Sequence, residues 1–196
     1  GKAKVVPELV EQALAEGIDP MEILNKGMID AMGVVGEKFK NNEIFVPEML
    51  VAARAMKKGV EVVKPHLGAG SSATIGKMVM GTVAGDLHDI GKNLVIMMIE
   101  SAGFEVVDLG VDVPIDKFIE AAADPDVKIV GCSALLTTTM PALRETVEAL
   151  NKAPNRAQFK IMVGGAPVTE EFAKEIGADV YTDDAAAAAE AAKKLV

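Results

Sequence analysis

The chain has 196 residues, half of them hydrophobic and a quarter charged, a composition that suits a globular protein with a sizeable core. Its 29 acidic and 20 basic residues give a net charge of −9, so nucleic acid is not an expected partner. The sequence has no signal peptide and no apolar run long enough to span a membrane, so we expect a cytoplasmic protein with no membrane association.

Residues 1–70 are predicted to form a bundle of three or four helices. Asp19-Pro20 is a typical helix start, and the apolar residues from Leu24 to Phe39 then recur at steps of three and four. The glycines of this stretch predict a weak point where it breaks into two helices. The Gly- and Ser-rich residues 68–72 predict a linker between one domain, residues 1–70, and a second, residues 73–196.

From residue 76 onward, short apolar runs alternate with helical segments. The predicted strands are Met78–Ala84, Glu105–Leu109, Ile129–Ser133, Lys160–Val163 and Asp179–Tyr181, and the predicted helices lie near residues 90–102, 115–123, 141–152, 169–176 and 184–195. This alternation predicts an α/β domain, a flavodoxin-like or Rossmann-like five-stranded parallel sheet with helices on both faces. The expected strand order is 2-1-3-4-5.

In such a sheet, ligands bind beyond the carboxyl ends of the strands, at the switch point in strand order. That rule selects three loops, at residues 85–91, 133–139 and 164–167. No dinucleotide or nucleoside triphosphate motif is present. A phosphoacceptor receiver domain has a related sheet, but it carries an aspartate after strand 3, where this chain has Ser133.

His88 is the informative residue of these loops. The chain has two histidines and one cysteine, and no set of three or four side chains suits a protein-only zinc site. If His88 binds a metal, a macrocycle that fills four positions is the natural source of the other ligands. Asp86 lies two residues away and can accept the second imidazole N–H. The alternative is that His88 only caps the helix that follows.

Three short motifs in these loops resemble those of cobalamin-binding domains. Asp86-Leu87-His88-Asp89-Ile90-Gly91 resembles the D-x-H-x-x-G signature, Ser133-Ala134-Leu135 the S-x-L element, and Gly164-Gly165 the G-G element. Residues 43–49 and 53–57 are similar to the helical cap of the cobalamin module of methionine synthase. The length and two-part layout are closer still to the corrinoid proteins of three-component methyltransferase systems.

The resemblance implies a cobalamin or related corrinoid as cofactor, with His88 as the axial ligand of cobalt and with Asp86 and Thr139 as a relay behind it. It further implies that the corrinoid contacts a larger set, namely Gly85, Asp86, Leu87, His88, Asp89, Gly91, Ser133, Leu135, Thr137, Gly164, Gly165 and Ala185, together with Phe39, Val46 and Met49 over the methyl-bearing face. Ordinary bundle packing is the alternative for the last three. Strand-end turn chemistry is the alternative for Ser133 and the two glycines.

The implied function is that of a methyl carrier rather than a complete enzyme. The methyl group would pass on cobalt from a substrate-specific methyltransferase to a second methyltransferase with tetrahydrofolate or a thiol as acceptor, and a corrinoid reductive activator is a further implied partner. A cobalamin-dependent sensor is an alternative, although the acidic helical half lacks a basic DNA-binding arm. The cobalamin-binding subunit of a mutase is another, although a helical cap suits a small methyl ligand better. The methyl donor and the lower base of the corrinoid stay open.

Overall fold

The computed structural model describes residues 1–67 and 74–196. The chain divides into two compact units. Gly1–Ile75 and Glu100–Gly103 form the first, called here the helical unit, and Gly76–Ile99 and Phe104–Val196 form the second, called here the sheet unit. The predicted linker at residues 68–72 lies outside the described residues, so the domain boundary drawn there stays a prediction.

The helical unit is built from four α-helices within the described residues: α1 (Val6–Ala15), α2 (Pro20–Glu22), α3 (Asp30–Lys40) and α4 (Val46–Val63). Asp19 caps α2, since its carboxylate accepts the backbone N–H groups of Met21 and Glu22 at 2.9 and 3.2 Å. The predicted break after this start is wrong. A π-helical segment, Ile23–Ile29, joins α2 to α3 without interruption, because the wider turn keeps the backbone bonded where an α-helix is weak.

Apolar side chains on the inward faces of the helices fill the centre of the helical unit. The buried members include Val10, Leu24, Met28, Met49, Met56 and Val63. Most are methionine or leucine, whose unbranched or flexible side chains fill gaps between helices. No helix in the described ranges is both long and apolar enough to cross a bilayer.

The sheet unit confirms the predicted fold and strand order. Its five described strands are parallel and run in the order β2-β1-β3-β4-β5. The bounds are β1 (Lys77–Val83), β2 (Glu105–Val113), β3 (Val127–Ser133), β4 (Lys160–Gly164) and β5 (Val180–Tyr181), and the helices between and after them are α5 (Ile90–Ser101), α6 (Ile115–Ala122), α7 (Met140–Asn151), α8 (Glu170–Ile176) and α9 (Ala185–Lys194). Short 3₁₀ turns precede α7 and β4.

The middle strands of the sheet are buried on both faces, as expected of a parallel sheet covered by helices. Val79, Val83 and Val130 pack on one face with Phe118 of α6 and Leu143 of α7. Alternation along the strands turns their neighbours to the other face. Register aligns three of those neighbours, Met80 of β1, Gly131 of β3 and Met162 of β4, in one row across the sheet.

Strand β2 is longer and less regular than predicted. The sequence prediction ended it at Leu109, but pairing with β1 continues to Val113. The register shifts twice on the way, which leaves one extra residue in β2 each time. Gly110 (φ 88°) and Asp112 (φ 51°) both have left-handed backbone there. Bulges of this kind redirect side chains at the ends of strands.

Arg156 links the amino ends of β4 and β5. Its guanidinium donates to the Asn151 side chain at 2.6 Å, to the Phe159 carbonyl at 2.8 Å and to the Asp179 carboxylate at 2.6 Å. The same carboxylate accepts the N–H of Ile161 at 2.7 Å. The planar fork of arginine suits three acceptors in different directions, which an ammonium group on a flexible stem matches poorly.

We expect Arg156→Met to lower the free energy of unfolding by about 1–3 kcal/mol, because it leaves acceptors without their donor. The midpoint of urea-induced unfolding, followed by circular dichroism, measures the change. Lys174→Met is the control, since it removes a cation from an exposed helical pair with Glu170 and should shift the midpoint little. Equal midpoints for Arg156→Met and the wild type would show that the link does not stabilise the sheet.

Candidate functional site

A cavity of about 510 Å³ opens at the carboxyl ends of the strands. The loops after β1, β3, β4 and β5 surround it, and the row of Met80, Gly131 and Met162 forms part of its wall. Its lining also includes Leu87, His88, Asp89, Ile90, Gly91, Lys92, Cys132, Ser133, Leu135, Gly164, Gly165, Ala166, Thr182, Asp183, Asp184 and Ala185. The cavity therefore lies where the strand-order rule places a ligand.

The loop that joins β1 to α5, residues 84–89, is called here the histidine loop. The His88 ring is half-exposed, yet its Nδ1 lies 2.9 Å from Oδ1 of the fully buried Asp86. The backbone N–H of His88 donates to the same oxygen at 3.0 Å. The hydroxyl of Thr82 donates to the His88 carbonyl at 2.9 Å. The sequence separation of two therefore brings histidine and carboxylate together, as predicted.

The second oxygen of Asp86 is held by the loop after β3. Oδ2 accepts the backbone N–H of Leu135 at 2.7 Å and that of Leu136 at 3.4 Å. The hydroxyl of Thr139, which is itself buried, lies 2.8 Å from the same oxygen. Burial alone favours the neutral acid, but these hydrogen bonds and those from His88 outweigh it and hold the pKa of Asp86 well below its usual range. Asp86 is therefore an anion at neutral pH.

Thr139 has two acceptors within reach of one proton. Its Oγ1 lies 2.8 Å from Asp86 Oδ2 and 2.9 Å from the carbonyl of Leu136. A hydroxyl has a single donor, so it can bond to one of them at a time. The strength of its bond to Asp86 can therefore vary without movement of the backbone.

The hydrogen bond from Nδ1 to a carboxylate leaves Nε2 as the basic nitrogen of His88. Among the described residues, no group of three or more His, Cys, Asp and Glu side chains could hold a metal ion. Cys132 lines the cavity, but burial raises the pKa of its thiol to about 12, so it stays protonated. A single oriented imidazole beside a large, mainly apolar cavity fits a metal macrocycle that brings its other ligands with it.

Gly164 and Gly165 border the cavity, and both also approach protein backbone closely. A side chain at Gly165, where φ is 132°, would overlap the carbonyl of Ala134, and one at Gly164 would come within 3.0 Å of the Thr182 carbonyl. The Ala134 N–H donates to the Gly164 carbonyl at 3.2 Å. Close packing of the strand ends is thus one reason why glycine occupies both positions. The second reason, that small residues leave room for a ligand, stays a prediction.

The residues predicted to contact a corrinoid fall into three groups. Those that line the cavity are Leu87, His88, Asp89, Gly91, Ser133, Leu135, Gly164, Gly165 and Ala185. Asp86 and Thr139 stand behind His88, and Gly85 and Thr137 lie in the same two loops outside the lining. Phe39, Val46 and Met49 belong to the helical unit, where Met49 is buried and the other two are half-buried. Their predicted role over a methyl-bearing face stays a prediction.

Sequence reasoning missed several residues of the site. Lys92 lines the cavity although its side chain is 1% exposed, and its Nζ contacts Asp108 at 2.6 Å. Its spacing of four from His88, at the start of a helix, was an available signal. Thr182, Asp183 and Asp184 follow β5 and close one end of the cavity, as the same strand-end rule would have suggested.

The fold and the histidine loop define a B12-binding domain, and comparison with known proteins agrees. The B12 binding domain family matches residues 76–193, and a second family with the same description matches residues 1–64. Trimethylamine corrinoid protein 1 of Methanosarcina acetivorans is 47% identical over 93% of this chain and 85% of its own length. Dimethylamine corrinoid protein 3 of the same organism is 46% identical over 100% of this chain and 91% of its own length. The chain belongs to the family of B12-binding corrinoid proteins, and its cofactor is a corrinoid.

Solved structures of cobalamin-binding and corrinoid proteins also resemble this chain. A chain of the methanol:cobalamin methyltransferase complex MtaBC from Methanosarcina barkeri aligns with a TM-score of 0.87 at 32% identity, over 98% of this chain and 74% of that one. A cobalamin-binding protein from Desulfitobacterium hafniense aligns with a TM-score of 0.77 at 34% identity, over 100% and 93%. The monomethylamine corrinoid protein of Methanosarcina barkeri aligns at 0.60 and 38%, over 97% and 90%.

We expect the buried charge of Asp86 to make stability depend on pH. Because its folded pKa lies below the value of about 3.9 in an unfolded chain, its contribution is fully present above that value and is lost as the pH falls below it. Asp86→Asn should lower the free energy of unfolding at pH 7 by about 1–3 kcal/mol, since an amide cannot satisfy every donor. Its stability should also fall less than that of the wild type between pH 5 and pH 3.

Urea unfolding at several pH values measures both effects. Glu148→Gln, the same kind of change on the exposed side of α7, is the control and should follow the wild-type profile. An Asp86→Asn profile parallel to that of the wild type would mean that Asp86 is not the source of the acid sensitivity.

Proposed function

We propose that this corrinoid protein carries a methyl group between methyltransferases and that His88 is the protein ligand to cobalt. The observation that carries the assignment is the hydrogen bond of 2.9 Å between His88 Nδ1 and the buried Asp86, which leaves Nε2 as the basic nitrogen of a ring that lines the cavity. When bound, the corrinoid supplies a cobalt centre that accepts and releases a methyl group.

Asp86 sets the tautomer and the direction of the imidazole. A carboxylate that accepts from Nδ1 selects the tautomer with a lone pair on Nε2. Thr139 can change the strength of the contacts that Asp86 makes, because its hydroxyl can donate to Asp86 or to the Leu136 carbonyl.

The similarity to dimethylamine and trimethylamine corrinoid proteins, at 46% and 47% identity, supports a methylamine as the methyl donor. The first partner is then a methyltransferase specific for that amine. A second methyltransferase with tetrahydrofolate or a thiol as acceptor, and a reductive activator, complete the proposed system. Coverage of the methyl-bearing face by Phe39, Val46 and Met49 and a cytoplasmic location belong to the same proposal.

We expect His88→Ala to retain cobalamin but to lose protein ligation of cobalt. The cavity extends to Ala185, so many contacts that do not involve the imidazole remain. The protein is made with nitrogen-15 histidine and reconstituted with cobalamin, so the hyperfine splitting in the electron paramagnetic resonance of cobalt(II) separates a histidine ligand from the cofactor's own benzimidazole nitrogen. His66→Ala is the matched control, since it removes the only other histidine, which is exposed. Wild-type splitting that persists unchanged in His88→Ala would exclude His88 as the ligand.

We expect methylamines to be better donors than methanol. The reconstituted and reduced protein would be incubated with each amine and its methyltransferase, and separately with methanol and its methyltransferase. The absorbance change of the corrinoid on methylation measures the rate. Methylation from dimethylamine or trimethylamine should be the faster. Methylation from methanol alone would contradict the proposed donor class but not the role as a methyl carrier.

A further inference from the structure

Asp112 of strand β2 contacts the first residues of the histidine loop. The carboxylate of Asp112 accepts the backbone N–H of Gly85 at 2.7 Å, and the Asp112 N–H donates to the carbonyl of Asp86 at 2.9 Å. Two reciprocal hydrogen bonds thus join one residue of β2 to two successive residues of the loop. These two bonds hold the backbone that carries the Asp86 side chain. They act in addition to the hydrogen bonds that the side chain itself accepts.

The backbone of Asp112 is in a conformation that costs free energy. Its φ of 51° is left-handed, which only glycine adopts without strain, although aspartate and asparagine tolerate it better than other residues. Strain of this kind persists where the surroundings require it, and it is concentrated at functional sites. Gly85, across the hydrogen bond, also has a positive φ of 79°. The contact therefore joins two residues whose backbone has a positive φ.

The same strand also reaches the residues that follow His88, through Asp108. Its carboxylate accepts from Lys92 Nζ at 2.6 Å and from the N–H of Gly110 at 2.9 Å. Lys92 Nζ also donates to Asn93 Oδ1 at 2.8 Å, and the Asn93 amide donates to Asp89 at 3.1 Å. This chain of contacts runs from β2 through the first turn of α5 to the residue after His88.

The bulges of β2 account for the position of Asp112, whereas Asp108 lies just before the first bulge. Met80 of β1 pairs with Asp108, but Gly81 pairs with Gly110 and Val83 with Val113, so β2 gains one residue on β1 at each step. The two strands end together, with Val83 paired to Val113, and the extra residues of β2 place Asp112 beside the start of the histidine loop. A regular strand of the predicted length, which ends at Leu109, would not contain Asp112.

We propose that Asp112 and the Asp108–Lys92 pair are positioning residues that fix the tautomer and direction of His88 by holding both ends of the histidine loop. This inference rests on the proposed function, in which His88 ligates cobalt. Neither Asp112 nor Asp108 touches the imidazole, so their effect passes through the loop backbone. Loss of either attachment widens the range of His88 orientations and weakens the Nδ1–Asp86 hydrogen bond.

The test compares three variants of the full chain. Asp112→Gly removes the carboxylate but permits the left-handed backbone, so it isolates the hydrogen bond to Gly85 from the strain. Asp112→Asn keeps an acceptor oxygen and tolerates the same φ, so it should restore most of the wild-type behaviour. Asp179→Ala is the structural control, because it removes a carboxylate that holds a backbone N–H at the opposite ends of the strands.

Two measurements follow His88 itself. In the protein without cofactor, nitrogen-15 NMR of the imidazole gives the share of the Nδ1–H tautomer. In the same nitrogen-15-labelled protein reconstituted with cobalamin, electron paramagnetic resonance of cobalt(II) gives the share ligated by histidine. In Asp112→Gly we expect a smaller Nδ1–H share and a ratio of ligated to unligated cobalt lower by about tenfold, the scale of effects from residues that orient a metal ligand. Asp179→Ala should lower the unfolding midpoint and leave both His88 signals unchanged.

The outcomes separate this inference from the proposed function. Wild-type values of both signals in Asp112→Gly would overturn the positioning role of Asp112. Wild-type protein without a nitrogen splitting would instead contradict His88 as the ligand, and the tautomer measurement would then decide on positioning alone. If Asp112→Gly does not fold, Lys92→Met tests the second attachment by the same two signals, and an unchanged tautomer there would overturn the proposal.

Discussion

The buried charge of Asp86 is the constraint on which the rest of the site depends. A carboxylate removed from water costs several kcal/mol unless donors surround it. Here the donors come from His88 on one oxygen and from Leu135, Leu136 and Thr139 on the other. These residues lie on two loops, which are about 50 positions apart in the sequence. The charge can therefore be buried only when the loops after β1 and β3 are adjacent.

The strand order supplies that adjacency. Strand β1 lies between β2 and β3, so the histidine loop leaves the sheet with a neighbour on either side. The β3 side contributes the donors that satisfy the Asp86 side chain, and the β2 side contributes the contacts of Asp112 with the loop backbone. Side chain and backbone of the same residue are thus held from opposite directions. Removal of either neighbouring strand would leave a buried anion without part of its support.

Much of the fold followed from sequence because its signals are local. Apolar runs of strand length and the helical segments between them gave the sheet, its order and the loops at its carboxyl edge. The Asp86–His88 contact was predictable for the same reason, since a separation of two lets both side chains meet within one loop. Thr139 needed the resemblance to a family, because its contact with Asp86 depends on how two distant loops approach each other.

The features that sequence reasoning missed are those in which tertiary contacts override a local preference. Gly110 is a normal signal for the end of a strand, yet β2 continues past it because the bulged backbone still pairs with β1. Lys92 resembles a surface lysine in the sequence, and only the position of Asp108 on the neighbouring strand explains its burial. None of these partners is near in sequence to the residue whose conformation it decides.

A ligand histidine faces two demands that conflict on an exposed loop. One ring nitrogen must remain accessible, and the ring must also keep one direction, although surface loops are the most mobile parts of a fold. Half of the His88 side chain is exposed, whereas the side chain of Asp86 has no exposed surface. The accessible ring is therefore bonded to a buried partner, and that partner is in turn contacted by residues from both neighbouring strands. Buried contacts thus fix the direction of the imidazole and leave its outer side accessible, as the proposed ligation of cobalt requires.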